Sequence, residues 1–275
     1  MLAIHLCDTE RVMTNPELQQ RLLVASAVAR EAGALQRRRF LARNSETVAY
    51  QFKGPQDYLT ATDGEVEKLV RERLLAAYPG DTMLGEEDGG QVSDNTWVVD
   101  PIDGTSNFAR GIPHFCVSIA LVHNGIAVIG VIHAPMVDEL FCAARGMGAT
   151  LNGEPIHAST ATQLDRSLIE LGWASRQSKS AYLEMLRKAM ESGTGVRGAG
   201  SGSLAVANVA AGRVDACVEL HMYAWDWLAG MVLAQEAGAT VNNFLTGDAL
   251  LKGNFVFAAA PGIAGELATV LGVTI

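Results

Sequence analysis

The sequence predicts an α+β fold of stacked helical and sheet layers, and three observations carry that reading. Apolar residues recur at helical spacing in two stretches of the N-terminal third. A central stretch reads as two apolar strands joined by a tight turn. Through the second half, short strands alternate with helices, whereas the first half holds adjacent paired strands, so the pattern is not a pure βαβ repeat. At 275 residues, 49% hydrophobic and 19% charged, the chain is long enough to bury a sizeable core as one large domain or two intimate halves.

The first helix is announced by "TNPELQQRLLVASAVAREAGALQRRRF": Asn15 serves as a cap, Pro16 fits the first turn, and Leu18, Leu22, Ala25 and Ala29 form one apolar face. Arg37, Arg38 and Arg39 then read as exposed cations near a helix C-terminus. A second helix is expected after Asp63, with Val66, Leu69, Val70 and Leu74 on one face, ending at "YPGD". Trp97, Val98 and Val99 look like a buried strand. "FCVSIALVHNGIAVIGVIHAP" gives two strands turning at Asn124-Gly125, a dipeptide that tolerates positive φ. Their apolar character on both faces implies a covered sheet. Farther on, "SLIEL", "DACVEL" and "NFVFAAA" read as strands among helices at 180–192, 202–211, 226–237 and 261–271. No fixed-period repeat or Pro/Ser-rich linker divides the chain.

Composition excludes several classes. A net charge of -9 opposes nucleic acid or an anionic membrane as main partner, since both polyanions repel it at long range. Cys7, Cys116, Cys142 and Cys217 lie far apart, which fits a reducing compartment and buried apolar roles. The N-terminal "MLAIHLCDTERVM" is broken by His5, Asp8, Glu10 and Arg11, so it does not read as a signal peptide, and no apolar run is long enough to span a bilayer. The expectation is a cytoplasmic protein.

Four acidic places stand out: "TATDGE" with Asp63, "GEED" with Glu86, Glu87 and Asp88, "DPIDGT" with Asp100 and Asp103, and "AWDWLAG" with Asp226. Taken alone, Asp63 and Asp226 read as helix caps and "GEED" as a solvated turn. Asp100 is different, because a buried strand delivers it to the C-terminal edge of a sheet, where ligands of such sheets sit. No His/Cys cluster has zinc-like spacing. Carboxylates, a carbonyl and a hydroxyl are hard donors that suit Mg²⁺ or Mn²⁺, and two such ions about 4 Å apart can hold both oxygens of an in-line phosphoryl displacement. Bound cations would also let an acidic chain accept a phosphate. Other phosphate chemistries are absent: there is no GxxxxGK[ST] loop, no Cys followed six residues later by Arg, and no DxD pair.

"GEED", "WVVDPIDGTSNF" and "AWDWLAGMVLAQEAG", in this order and spacing, resemble the inositol monophosphatases of the lithium-sensitive, Mg²⁺-dependent sugar-phosphatase superfamily. "FKGPQDYLTATD" and "GAGSGSLAVANVAAGRVDACVE" add to the resemblance, which covers nearly everything from Asn15 onward. It implies an α/β/α/β/α sandwich of the inositol monophosphatase and fructose-1,6-bisphosphatase type, with residues 1–13 as an extension. Residues 14–275 would form a single domain, about 14–150 its metal-binding half and 151–275 its substrate side.

The resemblance further implies that Glu86, Asp100 and the Ile102 carbonyl hold one Mg²⁺ while Asp100, Asp103 and Asp226 hold a second, with a third, weaker ion near the catalytic Glu86. Asp63 and Thr105 would orient the attacking water and accept its proton. Gly104 and Thr105 would turn N–H groups to the phosphate, and Gly200, Ser201 and Gly202 would approach substrate hydroxyls, with Asp103, Asp226 and Glu219 also touching substrate. Lys53 would lie near the entrance. The Lys53–Asp57 spacing is one residue shorter than in the animal enzymes, and Ser201 and Gly202 stand where threonine and alanine are frequent.

The implied activity is Mg²⁺-dependent hydrolysis of myo-inositol monophosphate or a similar small polyol phosphate by metal-activated water, in a homodimer. Histidinol phosphate is the alternative substrate, ahead of fructose 1,6-bisphosphate and 3'-phosphoadenosine 5'-phosphate. The non-enzyme alternative is a regulatory partner of the transcription machinery, without nucleic acid or membrane as direct partner.

Overall fold

The apolar stripe of the first helix sets the outer layer of the fold. In the computed structural model of the chain, residues 13–42, 50–54 and 57–275 are described, with backbone alone at residues 53, 54, 57 and 58. Helix α1 (Asn15–Ala42) buries Leu18, Ala25, Ala29 and Ala32, and leaves Arg37, Arg38 and Arg39 exposed at its end. Residues 1–12, Cys7 among them, lie outside the described residues. Helix α2 (Ala61–Ala77) packs beside α1 through Val66, Val70 and Leu74 and ends before Tyr78.

A short ribbon, β1 (Tyr50–Gly54) with β2 (Asp57–Thr60), leads into α2. The first large sheet contains β3 (Thr82–Gly85), β4 (Gly89–Gly90), β5 (Asn95–Asp103), β6 (Cys116–His123), β7 (Ile126–Ala134), β8 (Glu139–Ala144), β9 (Ala149–Leu151) and β10 (Glu154–Ile156). Its order is β10-β9-β8-β7-β6-β5-β3-β4. The β6–β7 hairpin turns where expected, with φ of 49° at Asn124 and 75° at Gly125. Strands β8 to β10 are not announced by hydropathy, because "ELFCAARGMGATLNGEPI" is short-stranded and rich in Ala and Gly; its turns use positive φ at Gly146, Gly148, Asn152 and Gly153.

The second sheet contains β11 (Leu168–Leu171), β12 (Gly195–Arg197), β13 (Ala216–Met222), β14 (Thr240–Val241) and β15 (Asn254–Ala259), in the order β12-β11-β13-β15-β14. β11 runs parallel to β12 and β13, and β15 antiparallel to β13. Its connections are α4 (Lys179–Glu191), α5 (Gly202–Ala210), α6 (Ala224–Glu236) and the short α7 (Ala249–Lys252), with α8 (Pro261–Leu271) closing the chain.

Side-chain alternation on β5 fixes the layers. Trp97 and Val99 point into the cluster with α1 and α2, while Val98 joins Trp227, Leu228 and Val206 of α6 and α5 on the other face. Those two helices also meet Cys217, Val256 and Ala258 of the second sheet, whose far face is covered by α4 and α8 through Met185, Ile263 and Leu267. The result is the α/β/α/β/α sandwich. Close approach in the middle layer depends on glycine: a Cβ on Gly130 of β7 would lie 2.1 Å from the Ala229 carbonyl oxygen of α6.

Candidate active site

Asp100 and Asp103 end β5, and their spacing raises a geometric problem. Residues three apart on a regular strand face opposite sides of the sheet. Here the ladder steps from Asp100↔Ser118 to Asp103↔Cys116, three residues on β5 against two on β6. This β-bulge adds one residue, inverts the alternation, and brings both aspartates to the face covered by α5 and α6. Pro101 sits within the bulge, where its missing N–H is not required by the ladder. The Ile102 N–H instead donates to Asp100 Oδ1 at 2.8 Å.

On that face one carboxylate oxygen from each of Glu86, Asp100 and Asp226 lies within 4.8 Å of the others. Glu86 follows β3, its N–H donating to the Val99 carbonyl at 3.1 Å. The rest of "GEED" is not a free solvated turn: buried Glu67 accepts from the Glu87 N–H at 2.8 Å and the Asp88 N–H at 3.2 Å. Asp226 lies in the first turn of α6 and accepts from the Tyr223 N–H at 3.3 Å. Asp63 has the same place on α2, its Oδ2 accepting from the Thr60 N–H at 2.8 Å and the Thr60 hydroxyl at 2.5 Å. Both helices therefore begin before the aspartates expected to cap them, because each carboxylate reaches back to the residue ahead of its helix.

Asp103 is held differently. Its Oδ2 accepts from the Ser201 hydroxyl and the Ser203 N–H, both at 2.6 Å, and its Oδ1 from the Gly202 N–H at 3.2 Å. It thus binds the positive end of α5 and is not one of the three acids in the cluster. Asn107, on the short helix α3 (Thr105–Arg110), ties the site to the "GAGSGS" loop, donating to the Ala199 carbonyl at 2.9 Å and the His114 carbonyl at 2.8 Å. Gly104, with φ of 98°, makes the turn into α3. Thr105 Oγ1 lies 2.8 Å from the Ile102 carbonyl and 3.2 Å from Asp63 Oδ1.

Burial dominates the electrostatics. It holds Asp100 and Asp226 well above the ordinary carboxylate range, with neighbouring acids adding to the effect, and it raises Asp103 against the hydrogen bonds from Ser201 and Ser203. Asp63 is pushed up to about 6, again chiefly by burial and against the Thr60 hydrogen bonds. Like charges gathered away from water are unfavourable unless protonated or balanced by cations. The donor set is all oxygen, and it fits Mg²⁺ or Mn²⁺. The Lys53 side chain lies outside the described residues.

A cavity of about 440 Å³ opens beside these acids, bordered by Asp103, Gly200, Ser201, Glu219 and Asp226. Glu170, paired with Arg197 at 2.9 Å, and Trp173, its ring 5.0 Å from that of Tyr182, line the same cavity. Glu219 Oε1 accepts from Gln177 Nε2 at 2.5 Å, and burial pushes its carboxyl up to about 7 despite nearby Arg176 and that hydrogen bond. Asn107 and Gln177 carry no mark in the sequence beyond Asn107's place in "DGTSNF", since their partners are distant in the chain.

One consequence can be measured. Because its folded-state value is raised, Glu219 contributes stability that is fully present below its ordinary value near 4.5 and is lost as pH rises through about 7. Glu219→Gln, which cannot ionise but keeps an acceptor for Gln177, is expected to gain on wild type by roughly 2 kcal/mol, about 5 °C in Tm, at pH 8 with chelator present. No gap should exist at pH 4.5. Calorimetric melts of both proteins that differ by the same amount at the two pH values would refute the buried-charge account.

Comparison with known proteins gives a consistent pattern. The family description "Inositol monophosphatase family" matches residues 17–271. The Nus factor SuhB of Escherichia coli K12 is 38% identical over 244 residues, covering 86% of this chain and 90% of that protein. Among solved structures, the extragenic suppressor protein suhB from Bartonella henselae is similar at a TM-score of 0.85 and 34% identity, with 92% of this chain and 99% of that one covered. The inositol monophosphatase from Anabaena is similar at a TM-score of 0.80 and 34% identity, with 93% and 96% covered.

Proposed function

Because the chain belongs to the inositol monophosphatase family, we propose that it is a Mg²⁺-dependent phosphomonoesterase acting on myo-inositol monophosphate or a similar small polyol phosphate. The observation that carries this reading is the meeting of Glu86, Asp100 and Asp226 within 4.8 Å at the edge of a cavity that also reaches Glu219.

Glu86, Asp100 and the Ile102 carbonyl would hold one ion, and Asp100, Asp103 and Asp226 a second, with a third, weaker site near Glu86. Asp103 retains spare lone pairs for this, its Oδ1 making only the longer contact to α5. When bound, divalent ions supply positive charge to the phosphate oxygens and favour deprotonation of a water. The remaining work falls to the chain. Thr105 and Asp63 hold the attacking water, and Asp63, raised only to about 6, is mostly ionised at neutral pH and accepts its proton. The N–H groups of Gly104 and Thr105 face the phosphate, while Gly200, Ser201, Gly202 and Glu219 face the departing alcohol. By the family resemblance Lys53 would lie near the entrance.

Specificity among alcohols lies in the cavity. Carboxylates there accept from polyol hydroxyls, and they would also accept the ammonium of histidinol phosphate, the runner-up. An adenosine bisphosphate is disfavoured because "GAGSGSLAVANVAAG" contains no lysine. The expected result is Mg²⁺-dependent turnover, fastest on inositol 1-phosphate in a panel with histidinol phosphate, fructose 1,6-bisphosphate and 3'-phosphoadenosine 5'-phosphate, lost with chelator and inhibited by lithium. In the same panel Glu219→Gln should narrow discrimination more than it slows an aryl phosphate. Absence of turnover on every monoester would sink the reading.

A second reading is favoured by the name Nus factor borne by relatives at 38% identity: a regulatory partner of the transcription machinery, contacting protein in preference to nucleic acid because the chain carries a net charge of -9. Retention of transcription complexes by an inactive Asp100→Asn protein would support it. We further propose a cytoplasmic homodimer; among the described residues no helix is long and apolar enough to cross a membrane.

A further inference from the structure

Gln36 is out of place on the stripe where it sits. The buried residues along that part of α1 are Ala29, Ala32, Gly33, Gln36 and Phe40, and Gln36 is the one among them with a polar side chain. Phe40, one turn farther along α1, packs into one cluster with Ile102, Phe108 and Phe115. The Gln36 side chain is fully enclosed, at 0% exposure, and its Oε1 has no partner among the described residues. An amide half-satisfied in such surroundings costs stability that a methionine or leucine would not.

The other half of the amide is engaged. Nε2 donates to the Pro101 carbonyl at 2.6 Å. That carbonyl belongs to the peptide unit whose opposite end, the Ile102 N–H, donates to Asp100 Oδ1 at 2.8 Å. The Pro101–Ile102 peptide plane is therefore held from both sides: by Gln36 at its oxygen and by Asp100 at its nitrogen. Turning the plane away from Gln36 would swing the N–H away from Asp100 and release the carboxylate that meets Glu86 and Asp226. Donation to the carbonyl also polarises the peptide and strengthens the bond made by its N–H.

We propose that Gln36 is a positioning residue that acts through the Pro101–Ile102 peptide to set the Asp100 carboxylate for a divalent cation. The inference rests on the reading of Asp100 as a metal ligand. In that role Gln36 stands outside the ligands, where loss of an orienting hydrogen bond weakens metal binding by about 10- to 100-fold.

The test is Mn²⁺ binding by the full chain, followed by calorimetry or electron paramagnetic resonance, beside the Tm of chelator-treated protein. Gln36→Met and Gln36→Leu keep the bulk and remove the donor. Both are expected to bind Mn²⁺ at least about tenfold more weakly while the metal-free Tm changes little, because the unpaired Oε1 is removed as the Pro101 carbonyl loses its donor. Affinity within twofold of wild type in both variants overturns the proposal, and so does a parallel fall of affinity and metal-free Tm, which would make Gln36 merely structural. Asp100→Asn separates the two readings: if it binds Mn²⁺ as wild type does, the metal reading itself fails. Loss of binding in Asp100→Asn with wild-type binding in the Gln36 variants removes the Gln36 inference alone.

Discussion

Asp100→Asn is expected to remove metal-dependent phosphate release by about a thousandfold or more, ~4 kcal/mol of transition-state stabilisation, and at the same time to raise the Tm of chelator-treated protein. The two changes have one origin. Asp100 is buried against Glu86, Asp103, Asp226 and Asp63, and burial followed by these charges holds its carboxyl well above the ordinary range. A cation turns that repulsion into attraction; without it the folded protein bears the penalty. Since the folded state holds the Asp100 proton more tightly than the unfolded state, this contribution to metal-free stability is greatest in acid and is lost as pH rises through the raised value. Asparagine keeps the shape and an acceptor for the Ile102 N–H but cannot ionise. Its gain over wild type should therefore grow with pH under chelator and reverse when Mg²⁺ is added. Activity above a tenth of wild type, or a lower metal-free Tm at pH 8, would show that Asp100 does not have this place in the site.

Gly130→Ala is expected to cost about 3 kcal/mol, some 6–10 °C in Tm, and to weaken Mn²⁺ binding in the same protein. The added Cβ would lie 2.1 Å from the Ala229 carbonyl oxygen and 2.9 Å from its carbon, both backbone atoms of α6. No rotamer change relieves such a contact, so α6 must retreat from β7. Retreat is resisted from behind, where Val206 Cγ1 of α5 comes within 1.7 Å of a Cβ built on Gly230. Asp226 rides in the first turn of the displaced helix, and the cluster it forms with Glu86 and Asp100 loosens with it. Thermal melts and a Mn²⁺ titration on one preparation check both effects; a loss of stability with unchanged affinity would mean that α6 is not what sets the Asp226 position.

Much of this architecture is legible in the sequence, for reasons that are local. Asn124-Gly125 can scarcely be anything but a tight turn between two apolar runs, and the alternation of strands and helices after residue 167 matches the second sheet with α4, α5, α6 and α8. The family is legible because "WVVDPIDGTSNF" packs several unusual requirements into one stretch. The first turns of α2 and α6 are less so: an aspartate before an apolar run looks like a cap, and only the threonine of "TATD" hints that the helix starts earlier. What stays hidden depends on partners far along the chain. Asp103 reaches Ser201 and Ser203, Asn107 reaches Ala199, Gln177 reaches Glu219, and Gln36 reaches Pro101. No periodicity or spacing registers such pairings, and the small strands β8 to β10 are missed because their residues have little intrinsic strand preference.

The bulge at the end of β5 carries one more implication. Two acids on one face of a regular strand require a single residue between them, and this chain uses two. The surplus residue leaves a stretch of main chain that the ladder does not consume. Gln36 takes the Pro101 carbonyl, Thr105 the Ile102 carbonyl, and Asp100 the Ile102 N–H. A sheet edge that would otherwise present only side chains thereby becomes a socket with its own backbone contacts, through which α1 and α3 both take hold of the strand that bears the aspartates.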